Sequence, residues 1–245
     1  MTAEHVPSDE PRPSRGRGFA SFLRDIVVIV VVAVVISVLI KTFVVRSFYI
    51  PSASMEDTLM TGDRILVDEL TVRWNEYDRG DVVVFEDPGG WLPSSAQSGP
   101  ENPIAAGADW VLRAVGLAPD GDDHLVKRII GLPGDHVECC NAVGQVEVNG
   151  VGVDELSYLR LPDGSSLASA DDFDVTVPED AIWVMGDNRN RSQDSRYHAQ
   201  QPGGGFVPLE NVVGRVVLLT WPFDRFGPFH GGRDAFVGVP SARDE

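Results

Sequence analysis

Residues 26–40 read IVVIVVVAVVISVLI, fifteen positions with Ser37 as the single polar side chain, and this run constrains the chain more than any other segment. Lys41 can lay its methylene stem along lipid and lift its charge to the interface. Residues 42–45 then bring the stretch to twenty, roughly 30 Å as a helix and enough for a bilayer core. The run therefore predicts one N-terminal transmembrane helix over 25–45. Arg12, Arg15, Arg17 and Arg24 precede it, so the positive-inside rule predicts a cytoplasmic tail at 1–24 and an extracytoplasmic domain at 46–245. Pro, Ser, Gly and Arg in the tail predict disorder. The competing reading is a cleaved export signal ending at the small residues Ser52-Ala53-Ser54. It fits less well, because those residues lie far downstream and the charged Lys41 and Arg46 stand where such a signal is neutral.

Of the formal charge of −17, residues 1–46 carry six Lys/Arg against four Asp/Glu, leaving −19 on the remainder. Such a domain repels nucleic acid. Its length allows one sizeable domain or two small ones. The 17 prolines, 25 glycines and short Val/Ile runs favour a mainly β body over a helix bundle. Strands are expected at 64–68, 82–86, 125–130, 145–148, 151–154, 181–185 and 212–220, with a tight hairpin at Asn149-Gly150. A Gly-Asp pair is expected to launch a strand at three places, Gly62-Asp63, Gly80-Asp81 and Gly134-Asp135. Residues 87–123 and 156–172 read as long irregular excursions. Trp91 and Trp110 in the first suit either the membrane interface or packing on the body, packing being the simpler role. Cys139 and Cys140 are adjacent, so neither a zinc site nor an ordinary loop-closing disulfide can be built from them. Two packed thiols and a vicinal disulfide both remain open.

After the apolar run, Pro51 breaks helix and small residues surround two hydroxyls, Ser52 and Ser54. A serine becomes a nucleophile only beside a base. None of the five histidines, His5, His124, His136, His198 and His230, stands in a context resembling a hydrolase triad. Beyond position 41 the chain has one lysine, Lys127, within Leu125-Val126-Lys127-Arg128-Ile129-Ile130. A lone strand lysine by itself suits edge protection. It also suits a base, provided burial lowers its pKa: at the unperturbed value near 10.4 only about 0.04% of the amine is neutral at pH 7.

Four segments resemble the bacterial type I signal peptidases, in that family's order: Ile50-Pro51-Ser52-Ala53-Ser54-Met55; Arg79 through Phe85; Val126 through Asp135; and Met185-Gly186-Asp187-Asn188-Arg189 with 192–196. With the apolar run, the resemblance extends over about 24–220. It implies Ser54 as nucleophile and Lys127 as general base. It also implies an oxyanion hole of the Ser54 N–H and the Ser52 hydroxyl, Ser192 holding the lysine, and Asp194 with Arg196 as a structural ion pair. Asn190-Arg191 departs from the family's usual Asp-Asn there, which bears on the local hydrogen bonds of that loop. The implied fold is an antiparallel β-sheet catalytic core with a smaller β region inserted at about 136–180. No metal or organic cofactor is implied.

The implied activity is a single-pass serine endopeptidase of the bacterial cell membrane that removes signal peptides from preproteins delivered by the export machinery. Its partners would be those preproteins and the lipid bilayer, not nucleic acid. Cleavage would follow small residues at −1 and −3, with the extended substrate pairing along a strand edge. Phe48, Ile50, Met55, Leu59 and Val126 are expected pocket residues, with core packing the equal alternative for each. Rival readings are another Ser/Lys peptidase, such as a pilus-maturation enzyme or a self-cleaving regulator, and a catalytically dead envelope protein that binds exported chains.

Overall fold

A computed structural model describes residues 15–43, 45–70, 77–92, 124–161 and 165–242. The chain divides into two compact units, residues 1–40 and 41–245, each described by itself. The first carries most of helix α1 (Arg15–Phe43). Its side chains are described over 21–36, where the Val and Ile residues lie exposed on every side. Among the described residues, no helix is long and apolar enough to cross a membrane.

The second unit is built of antiparallel strands in two sheets. The larger joins β1 (Val45–Tyr49), β2 (Arg64–Asp68), β3 (Val82–Glu86), β4 (His124–Gly131), β9 (Ala181–Met185), β10 (Val207–Pro208), β11 (Val212–Trp221) and β12 (Gly227–Pro228). Its order is β1-β2-β11-β3-β4-β9-β10, with β12 added to β11. β3 reads VVVFE and β9 reads AIWVM, and both are buried on both faces for most of their length, as continuous apolar runs are. The ten-residue β11 pairs with β2 through one part and β3 through another, its register shifting between Val212 and Gly214 and twice beyond Val216. Gly214 is needed at the first shift, because a Cβ there would lie 2.4 Å from the Asp68 carbonyl oxygen.

The smaller sheet has the order β7-β6-β5-β8, from β5 (His136–Cys139), β6 (Val146–Val148), β7 (Val151–Gly152) and β8 (Phe173–Thr176). It occupies the inserted region anticipated at about 136–180. Four strands stand where none is expected from sequence, β1, β8, β10 and β12; β5 follows the Gly134-Asp135 pair that signals it, and β7 is shorter than 151–154. Val137, Cys139, Val146, Val148 and Phe173 face Trp183 and Met185 of β9 in one core cluster, so the small sheet packs behind the strand leading to the 186–194 loop. Asn149 and Gly150 turn the β6–β7 hairpin with positive φ, as expected. Cys139 and Cys140 are joined as a vicinal disulfide. Trp91 is buried in the core, edge-on to Phe85 and stacked on His198; Trp110 lies outside the described residues.

The three Gly-Asp pairs prove to be one device. Gly62, Gly80 and Gly134 each take positive φ. The following Asp63, Asp81 and Asp135 then accept the backbone N–H three residues back, from Met60, Asp78 and Leu132. Each carboxylate is also gripped by a distant arginine: Asp63 by Arg225, Asp81 by Arg215 and Arg233, Asp135 by Arg79.

Candidate active site

Pro51 and the residues after it cannot continue β1, so the chain turns through 51–59. Ile50 is fixed by exchanging backbone hydrogen bonds with the first Gly-Asp pair: its N–H donates to the Asp63 carbonyl and its own carbonyl accepts the Gly62 N–H. The turn places Ser54 5% exposed, and its carbonyl accepts the Asn188 N–H at 3.0 Å. On the neighbouring strand β4, Lys127 lies opposite Val83 of β3 and is 3% exposed. Its Nζ reaches the Ser54 Oγ at 2.7 Å, and the Ser52 Oγ stands 3.3 Å from the Ser54 Oγ.

Burial among apolar strand residues penalises the Lys127 ammonium and pushes its pKa down to about 8, against the opposing pull of Asp194 and Asp187; Arg196 adds to the depression. Asp194 is fully buried. Desolvation alone would raise its pKa, but the Arg196 fork, the Arg196 charge and the Gly186 N–H together hold its carboxyl below the usual carboxylate range. The Asp194–Arg196 pair expected from the resemblance is present, with N–O distances of 2.9 and 2.8 Å. The Ser192 Oγ is buried and has no partner in bonding geometry, though it faces Asp194 and helps keep that carboxylate ionised. Lys127 is held by Ser54 here, and no bond from Ser192 to the lysine forms.

Phe48, Ile50, Met55 and Leu59 share one apolar cluster with Ile65, Val67, Val82, Val84, Val216 and Leu219, and Val126 packs against it half-buried. Ile50, Met55 and Leu59 are closed inside this core, which leaves Phe48 and Val126 as its more accessible members.

Several residues that hold the site were not singled out from sequence. Arg128, next to Lys127, forms a bidentate pair with Asp187 at 2.8 and 2.6 Å, and Thr58 Oγ1 donates to the same carboxylate at 2.5 Å. Arg189 pairs with Glu155 from the inserted region, and Tyr158 donates to Glu155 while its ring lies 3.8 Å from the Arg128 guanidinium carbon. Ser195 Oγ accepts the Val184 N–H of β9 at 2.9 Å. A buried arginine needs a buried acid, but with 59 positions separating Arg128 from Asp187 the sequence does not say which acid.

The profile of the family described as signal peptidase, peptidase S26, matches residues 23–221. A signal peptidase I of Mycobacterium tuberculosis is 37% identical over 235 residues, covering 90% of this chain and 78% of that protein. A probable signal peptidase I-2 of Synechocystis is 37% identical, covering 80% and 72%. The signal peptidase I S of Bacillus subtilis is 34% identical, covering 80% and 87%. The matched range takes in both sheets except β12 and every residue of the Ser54–Lys127 cluster, and the chain belongs to the signal peptidase family of peptidases, S26, as a bacterial type I signal peptidase.

Proposed function

We propose that this peptidase removes signal peptides from exported preproteins with Ser54 as nucleophile and Lys127 as general base. The observation that carries the reading is the 2.7 Å contact between a buried amine of lowered pKa and a buried serine hydroxyl. Neutral Lys127 takes the Ser54 proton as Oγ attacks the scissile carbonyl. The Ser54 N–H and the Ser52 hydroxyl receive the developing oxyanion. Lys127 then passes its proton to the leaving amine, and water, deprotonated by the same lysine, releases the acyl group. The Asp194–Arg196 pair fixes the loop around the lysine. Phe48 and Val126 would contact small side chains of the substrate, and β1, the outer strand of the larger sheet, offers an edge for extended pairing. Incubating detergent-solubilised protein with a preprotein and sequencing the new N-terminus should reveal cleavage after small residues. Ser54→Ala should leave the preprotein intact, whereas an envelope protein that merely binds exported chains would keep its activity in that variant.

Gly186 tightens the same geometry. A Cβ at this position would fall 2.2 Å from the Ser192 Oγ and 2.6 Å from the Ser54 carbonyl oxygen, so both must move to admit it. Gly186→Ala should keep the β-rich circular dichroism spectrum and lose about 10²-fold in turnover, the usual consequence of misplacing a nucleophile by roughly 1 Å.

The membrane reading rests on the apolar helix at 26–40 with its arginine flank. Trp221 and Phe223, both exposed and edge-to-face at 4.8 Å, with exposed Phe226 beside them, suit a lipid interface. Protease added outside spheroplasts should digest residues beyond about 50 and spare an N-terminal tag. Protection of the C-terminal body would overturn this topology.

A further inference from the structure

We infer that the inserted sheet carries a site for one divalent transition ion, of the zinc class, built from His136, Glu138 and Asp174. In β5, alternate residues face opposite ways: Val137 and Cys139 enter the core, so His136 and Glu138 share the outer face. Asp174 of β8 is the direct cross-strand partner of Glu138. One ligand atom from each residue lies within 4.8 Å of the others, and His136 Nε2 is 2.7 Å from Asp174 Oδ1. A tetrahedral zinc ion at ~2.0–2.1 Å from each donor needs donors roughly 3.3 Å apart, so the half-buried His136 and Glu138 and the exposed Asp174 side chains would rotate onto it.

The register supplies a second reason for a cation. Glu138 is flanked across the strands by Asp174 on one side and Glu147 on the other, so three carboxylates form a row on one face. Like charges directly opposite each other destabilise a sheet. Among the described residues the row has no lysine or arginine partner, and His136 pairs with Asp174 alone. The imidazole nitrogen decides the class of ion, since Ca²⁺ and Mg²⁺ favour all-oxygen shells while a mixed imidazole and carboxylate set suits zinc and its neighbours. Three protein donors leave a fourth position for water. The bound ion would clip the edge strand β8 to β5, behind the core cluster that backs β9.

The test uses the full chain in detergent, stripped with chelator and titrated with zinc chloride alone. Equilibrium dialysis should find one ion per chain. Thermal unfolding should shift upward by about 5 °C at 100-fold excess over the dissociation constant. Asp174→Asn, at an exposed position, and His136→Ala should each weaken binding at least tenfold and remove the thermal shift, with preprotein cleavage unchanged. Should His136→Ala fail to fold, Asp174→Asn decides. Absence of bound zinc in the parent, unchanged binding in Asp174→Asn, or an equal thermal shift with calcium or magnesium chloride would each overturn the site.

Discussion

Lys127→Arg is expected to abolish cleavage, with turnover falling by at least about 10⁴-fold, the scale seen when one member of a catalytic pair is removed. Charge is retained, but a guanidinium does not release its proton at any working pH and so cannot take one from Ser54. In the parent, Lys127 with its pKa lowered to about 8 is mostly protonated at pH 7. Activity should therefore climb as pH rises through about 8 and level off above it. Stability should move the same way for a related reason. The folded pKa lies below that of the unfolded chain, so between about 8 and 10.5 the unfolded state binds more protons and stability rises with pH. This one group accounts for about 3 kcal/mol across that window. Below it both states are protonated and the cost of burying the ammonium is constant. Lys127→Met should thus be inactive, at least as stable as the parent at pH 7, and without that slope in chemical denaturation. Cleavage by folded Lys127→Arg at the parent rate would refute the dyad and turn attention to His124.

Asp187→Ala should cost about 3–5 kcal/mol, because it strands the Arg128 guanidinium in a protein interior where both partners are 1% exposed. For a domain of this size that lowers the unfolding midpoint by roughly 10 °C. Arg128 would keep its bond to the Gly80 carbonyl and its contact with Tyr158, and neither neutralises it. Removing both charges together, as Arg128→Met with Asp187→Ala, should be less damaging than Asp187→Ala alone, since no uncompensated ion remains. Thermal unfolding of the two single variants and the double variant measures this coupling. Additive losses would mean that the pair is not the unit argued here. Turnover should also fall in Asp187→Ala, as the next residue, Asn188, holds the Ser54 carbonyl.

The strands most legible in sequence were those with long apolar runs or clear turns: β2, β3, β4, β9, β11 and the Asn149-Gly150 hairpin. β5 and β8 carry the period-2 alternation of strands, in His136-Val137-Glu138-Cys139 and Phe173-Asp174-Val175-Thr176, but are only four residues long. The vicinal cysteines suit a strand or a turn alike and so do not mark where β5 ends. β1 was hidden because Arg46 and Ser47 follow directly on the apolar run and read as its end. At the site, Ser54 and Lys127 could be named from motifs, and the structure puts them in contact. The partners of the arginines could not be named, because Arg128–Asp187 and Arg189–Glu155 join residues 59 and 34 positions apart and depend on how the insert folds back. The relation of Ser192 to the lysine, inferred from resemblance alone, is not matched by a hydrogen bond in this structure.

The arginines that grip the Gly-Asp turns show that the family's motifs do not by themselves fasten the site. Arg225 and Arg233 reach back to Asp63 and Asp81, and the carbonyls of Val239 and Pro240 receive Arg79, the partner of Asp135. A growing chain that has reached Trp221 already contains Ser54, Lys127 and every motif of the family. It still lacks the clasp for the turn beneath Ser54 and part of the clasp beneath β3. Residues between Arg225 and Pro240 supply those contacts. A protease of this design cut short before them would carry its reactive pair in a loosely fastened frame.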